Sequence, residues 1–238
     1  MKISVISGTN ICEVNERLLR AAATFSKDQS KKIPTVFVIV PDRFTLEAEK
    51  ILTIFAPCLL GLRVVTFSML FNVLHGESND KVLDKTSAVL FMWKAIQSVK
   101  GDLVYFNRSV GQYAFSEKMF NTINQLASCS ADFEKLEKNA RGDVTKRKMR
   151  DISLIQKKYK EFTADYIDGT GILDWLIKNV GSNEIIKDAH VYMTGFEYLS
   201  VQREEVMRRI MHSAKSFTIG VQDGSELKKV LDEILFAM

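Results

Sequence analysis

Apolar residues alternate in a β-like way through Lys2–Ser7 (Ile3, Val5, Ile6), then recur at helical spacing as Leu18, Leu19, Ala22 and Ala23 within residues 14–25. The run TVFVIVPD, Thr35–Asp42, is continuously β-branched and aromatic, as in a parallel strand buried on both faces. Pro41 ends it, because proline has no N–H for a ladder. RFTLEAEKILTIF then reads as a helix starting near Thr45. LRVVTFS, Leu62–Ser68, reads as a third strand, and MLFNVLH as a short helix leaving it. Three strand–helix alternations within about eighty residues predict a parallel α/β sheet.

From Lys85 to Val180 the pattern changes to apolar residues three and four apart, as in TSAVLFMWKAIQSV, FSEKMFNTINQLAS and MRDISLIQKKYKEFTADY. DGTG, Asp168–Gly171, supplies turn chemistry before another short helix, ILDWLIKNV. Strand-like sequence returns at Ala189–Phe196, followed by a helix over 200–214 and a strand at Ser216–Gln222. The organisation predicted is an α/β domain over 1–80 and 185–238, interrupted by an α-helical insertion over 81–184. The closing amphipathic segment ELKKVLDEILFAM serves no later strand, so the chain reads as a fragment of a longer protein.

Composition changes this picture little. With 46% apolar and 26% charged residues in 238, the chain is an ordinary globular sequence. It has no apolar run of the roughly 20 residues that span a bilayer, and no signal-peptide pattern. Cys12, Cys58 and Cys129 form no close pair, which favours a reduced, cytoplasmic setting. The net charge of +4 is mild, but Lys135–Lys160 holds ten Lys or Arg against three Asp or Glu. Such a run is either a solvated helical face or a surface turned toward phosphate.

The strand–Gly8–helix opening invites a phosphate-loop template, G-x-x-x-x-G-K-[ST]. Its last three positions fall on Glu13, Val14 and Asn15, so the second glycine, the phosphate lysine and the magnesium hydroxyl are all missing. The strand that would carry the magnesium-supporting carboxylate, HVYMTGF, ends on Thr194, with no acid before Glu197. An ordinary strand-to-helix turn is the competing reading of Gly8. His75, His190 and His212 have no metal-ligand spacing, and three separated cysteines cannot supply a four-thiolate cluster. No carboxylate pair suggests acid–base catalysis, and Trp93 and Trp175 read as core.

The segments VIVPDRFTLEAEKIL, VVTFSMLFNVL, RDISLIQKKYKEF, ILDWLI and HVYMTGFEYLSVQ, in this order and spacing, resemble the N-terminal helicase-like region of AddB/RexB. These are the B subunits of bacterial ATP-dependent helicase–nucleases that process double-strand breaks. The resemblance runs from Lys2 to Gln222 and rests mainly on VPD-x-x-T and GF-x-x-x-x-x-Q. LDWL is similar to the Asp-aromatic-Leu signature before the Walker B strand of superfamily 1 helicases.

The resemblance implies a P-loop-NTPase, superfamily-1-helicase-like parallel sheet with an all-α insertion. It also implies a role: a helicase-like module that does not translocate, binds the emerging single-stranded DNA and reads Chi, beside an AddA/RexA-type subunit. Carried onto this chain, the DNA-contacting candidates are Arg43, Thr45, Phe67, Met69, Asn72 and Phe196. Phe67 and Phe196 would stack bases, and Arg43 would meet a guanine edge or a phosphate. Core packing is the alternative for Phe67 and Met69, and a solvated position for Arg43. Gly8, Glu13, Val14, Asn15 and Thr194 would then be a degenerate nucleotide site, in a non-catalytic part of a hydrolase subunit. No cofactor is expected in this fragment, since the family's iron–sulfur cluster and nuclease Mg²⁺ belong to the part not present. A small P-loop ATPase with an atypical loop and a pure protein-interaction scaffold remain as alternatives.

Overall fold

The computed structural model describes residues 2–27, 33–56, 60–76 and 81–236. Cys58 and Pro57 lie outside the described residues. The chain divides into two compact units, Met1–Gly76 with Leu173–Met238, and Glu77–Ile172. The return to the first unit thus falls at Leu173, ahead of the 184/185 boundary drawn from the sequence. The helix Gly169–Asn179 straddles the division, and its Trp175 packs edge-on against Phe71 and His75 of the first unit.

The first unit is built on five strands: β1 Lys2–Gly8, β2 Val36–Ile39, β3 Leu62–Val65, β6 His190–Met193 and β7 Ser216–Gln222. They lie in the order β1-β7-β6-β2-β3, and every pairing is parallel. β2 is buried along its whole length, as its unbroken apolar run requires. Above one face pack α1 (Ile11–Lys27) and α2 (Thr45–Phe55). Leu18, Leu19, Ala22, Ala23, Ala48 and Leu52 form one cluster there with Val36, Val38, Val40 and Tyr192. Phe37, Ile39, Val191, Met193, Phe217 and Ile219 alternate to the opposite face and are equally buried. The short helix α9 (Glu184–Lys187) leads into β6, and the helices α10 (Val201–Ser213) and α11 (Glu226–Phe236) contact β7.

Several boundaries differ from the periodicity reading, each for a local reason. α1 begins at Ile11, ahead of residue 14, because Asn10 closes its first turn with both side-chain and backbone acceptors. The third strand stops at Val65, not Ser68. Thr66 accepts a hydrogen bond from the Met69 N–H and caps α3, Phe67–His75, so Phe67 and Ser68 are helical. Asp42–Phe44 forms one 3₁₀ turn before α2.

The second unit is helical: α4 Lys85–Ser98, α5 Tyr113–Ser128, α6 Phe133–Asn139 and α7 Asp143–Phe162. A two-residue parallel pair, β4 Lys81–Val82 with β5 Tyr166–Ile167, escapes the sequence reading because two residues carry no period. Val89, Met92 and Ile96 of α4, Met119 and Phe120 of α5, and Ile152, Ile155 and Tyr159 of α7 make its core. Trp93 corrects an expectation: it is 42% exposed on α4, turned away from that core. Asp168 caps α8 (Gly169–Asn179) through the Thr170 and Gly171 N–H groups and accepts the Tyr159 hydroxyl proton. Burial, followed by the Asp168 charge, pushes the Tyr159 phenol well above its ordinary range. No described helix is long and apolar enough to cross a membrane.

Candidate nucleic-acid interface

Because all five strands run parallel, their carboxyl ends open onto one edge, where α/β sheets bind ligands. The ends of β2, β3 and β6 deliver the VPD turn, the Thr66–Phe67 cap and the Thr194–Glu197 segment to that edge. The two sequence motifs touch there. Gly195 has φ +83°, and a Cβ on it would come within 2.9 Å of a Phe44 ring carbon and 3.1 Å of Pro41 Cδ. Only glycine supplies both that backbone conformation and the clearance. Further along the same motif, Gln202 donates from Nε2 to Oδ1 of Asp174, in LDWL, at 2.8 Å.

At the turn after β1, the segment between Gly8 and Ile11 is too short to encircle a phosphate, and Glu13, Val14 and Asn15 are already within α1. Asn10 Oδ1 accepts from the Cys12 N–H at 3.0 Å, taking one of the donors a bound anion would use. The Thr194 hydroxyl donates to Asn15 Oδ1 at 2.7 Å, and the two are 1% and 7% exposed. These residues occupy the two template positions that would flank a magnesium ion, and here they satisfy each other. Gly220 in β7 leaves room for the bond, since a Cβ there would stand 2.6 Å from Thr194 Oγ1. With no carboxylate present, and with the amide and hydroxyl buried and committed to each other, the pair does not fit Mg²⁺, which takes carboxylates with phosphate and water oxygens. Among the described residues no group of three or more His, Cys, Asp or Glu could hold a metal ion.

The six DNA candidates divide by accessibility. Arg43 is exposed, and its guanidinium meets Glu197 Oε1 at 3.1 Å, so the β2 and β6 ends are joined by an ion pair. Both partners are solvated, which limits the pair to about 1 kcal/mol. With Asn15, Ile51, Phe55 and Gly195, that pair lines a groove of about 700 Å³. Met69 and Asn72, both exposed, line a separate apolar groove beside β3 with Leu62, Val64 and Val73. The Thr45 hydroxyl is turned back onto the Asp42 carbonyl, at 3.0 Å.

Phe67 and Phe196 are each only 6% exposed and pack ring against ring, centroids 5.9 Å apart. A base can stack on either only after that contact opens. Two residues at this edge were missed by sequence reasoning. Glu197 entered the reading only as a late carboxylate, and the exposed Arg203 sets its guanidinium 5.9 Å from the Phe67 ring centroid. Its place beside Gln202 was the available signal for Arg203. None existed for Glu197, whose partner lies 154 residues away.

The fold and site thus define a parallel α/β domain with a helical insertion and an open strand-end edge. Residues 13–237 match the family model described as ADDB, N-terminal, and the chain belongs to that family. The B subunit of the ATP-dependent helicase/deoxyribonuclease of Lachnoclostridium phytofermentans is 27% identical over 82% of this chain and 18% of its own length. The subunit of the same name from Listeria monocytogenes is 24% identical over 98% of this chain and 21% of its own length. The counterpart from Clostridioides difficile is 23% identical over 81% and 18%. The chain therefore spans about a fifth of the length of the curated relatives it matches.

Proposed function

We propose that this chain is the N-terminal, helicase-like module of a B-type subunit in a double-strand-break-processing helicase–nuclease. In this reading it binds single-stranded DNA along the carboxyl edge of its sheet, contributes to Chi recognition, and leaves ATP hydrolysis to an A-type partner. The observation that carries it is the Thr194–Asn15 hydrogen bond, which fills the place where a motor domain would hold magnesium. The strand order is consistent with a P-loop, superfamily-1-like sheet: β1 and β6, which would bear the phosphate loop and the catalytic acid, are separated by β7 alone. Arg43 is the residue best placed to meet phosphate or a guanine edge, and Met69, Asn72 and Thr45 extend the contact. Phe67 and Phe196 form the floor beneath them and supply stacking surface when their contact opens.

Glu197 holds the Arg43 guanidinium in the free chain, so the two side chains have opposite effects on binding. Arg43→Ala in the assembled complex should weaken oligothymidylate binding about five- to tenfold and reduce the response to Chi. Glu197→Gln should strengthen binding about two- to threefold at low salt by releasing the guanidinium. Fluorescence anisotropy measures both. Changes of the same sign, or none, would remove Arg43 from the site.

A further inference from the structure

The ten cations of Lys135–Lys160 resolve into an ordered arrangement in the second unit. On α7, Asp151, Ile152, Ile155, Gln156 and Tyr159 face the core. At about 100° per residue, Lys146, Arg150 and Lys157 fall on a single line nearly opposite that face, about 6 Å and then about 10 Å apart along the axis. All three are exposed. With Lys138, Arg147 and Ser153 they line a groove of about 780 Å³.

Three helical cations of the first unit are matched one turn away by carboxylates. Arg20 pairs with Glu16 on α1, Arg209 with Glu205 on α10, and Lys228 with Asp232 on α11. In the basic run, ion pairs among the described residues are confined to Lys135–Asp132 and Lys158–Glu161. Lys146, Arg150 and Lys157 form none with described residues. Asp151, one of the run's three acids, is buried and bound to backbone N–H groups, so it does not offset the outer charge. The remaining counter-charges facing the groove are Asp102, Glu134 and Glu137, none within ion-pair distance of the row.

Collinear, unpaired cations on a rigid rod, with no exposed apolar side chain among them, suit an extended polyanion rather than a bilayer or an apolar protein face. We propose that the outer face of α7 is a second DNA contact, a ridge that grips the phosphodiester backbone without reading sequence. The inference rests on the DNA-binding reading above but uses different residues in a different unit.

The test compares the full chain with a Lys146→Gln, Arg150→Gln, Lys157→Gln variant, titrating a labelled oligothymidylate of about thirty nucleotides across salt concentrations. The triple variant should bind at least about tenfold more weakly at 0.1 M salt, with the log–log salt slope reduced by about two. A control removing three exposed cations elsewhere, Lys50→Gln, Lys118→Gln and Lys229→Gln, has the same net charge and should change affinity less than threefold. A duplex of equal length tells which form of DNA supplies the phosphates. Equal losses in the variant and the control would reduce the ridge to net charge and overturn it. An unchanged triple variant alongside a weakened Arg43→Ala would overturn the ridge and leave the sheet-edge site standing. Absence of oligothymidylate binding by the unaltered chain would end both.

Discussion

Replacing Asp151 with alanine is expected to destabilise the second unit by about 3 kcal/mol. Its carboxylate is fully buried on α7 and accepts from the Val104, Tyr105 and Phe106 N–H groups at 2.8–3.2 Å. Those donors belong to the irregular segment after α4, where no ladder or helix bond is available to them. Removing the acceptor leaves three partly buried N–H groups without a partner, each costing about 1 kcal/mol or more. A cavity opens at the same place. Asparagine keeps one acceptor oxygen and should lose less. The two tryptophans separate the outcome by unit, since Trp93 lies in the second and Trp175 in the first. In urea, the transition followed by Trp93 in a Trp175→Phe background should shift down by about 2 M. One followed by Trp175 in a Trp93→Phe background should barely move. A shift in Trp175 alone would show that Asp151 does not anchor the loop as described.

Asp151 also marks where sequence reading stops. In the chain it is one acid in a strongly basic helix, and periodicity treats it as part of a charged surface. Its burial depends on a loop about 46 residues earlier that needs an acceptor, and no local pattern encodes that partnership. By contrast, the strand Ser216–Gln222 was legible to the residue, because Phe217, Ile219 and Val221 alternate with Ser216, Thr218 and Gly220 between a helix end and a turn. The start of α3 was misread because Thr66 is β-branched and extends the look of a strand, while its hydroxyl caps a helix. Site legibility followed the same division. The mismatches to the phosphate-loop template at Glu13, Val14, Asn15 and Thr194 could be read from residues alone. The bond between Asn15 and Thr194 could not be, since it joins positions 179 residues apart. The aromatic pair is similar: Phe67 and Phe196 look alike whether they face a base or each other, and only the fold places the two rings in contact.

Placing the template's lysine at position 14 by Val14→Lys should damage the fold without creating a nucleotide site. Val14 is buried in the first turns of α1, with its methyl groups 3.2 Å from a Cβ built on Gly8 and 3.1 Å from one built on Gly220. The clearance at both glycines is thus already used. A lysine there must either bury an unpaired ammonium or force its way out past the β1 turn. The expected loss is about 3–5 kcal/mol, read as a lower urea midpoint by Trp175. ATP affinity should not appear in return. The residues that would wrap a triphosphate are helical from Ile11 onward, the Cys12 N–H is held by Asn10, and Glu13 adds a like charge beside any incoming phosphate. Adding Asn15→Thr and Thr194→Asp supplies the hydroxyl and the carboxylate but leaves the turn after Gly8 too short. Isothermal titration with Mg²⁺ and a non-hydrolysable ATP analogue should therefore show no saturable binding for the unaltered chain, Val14→Lys or the triple variant. Micromolar binding by the unaltered chain would overturn the silent reading of this domain. The same affinity gained only by the triple variant would show instead that the phosphate grip was lost through three side chains while the backbone kept it.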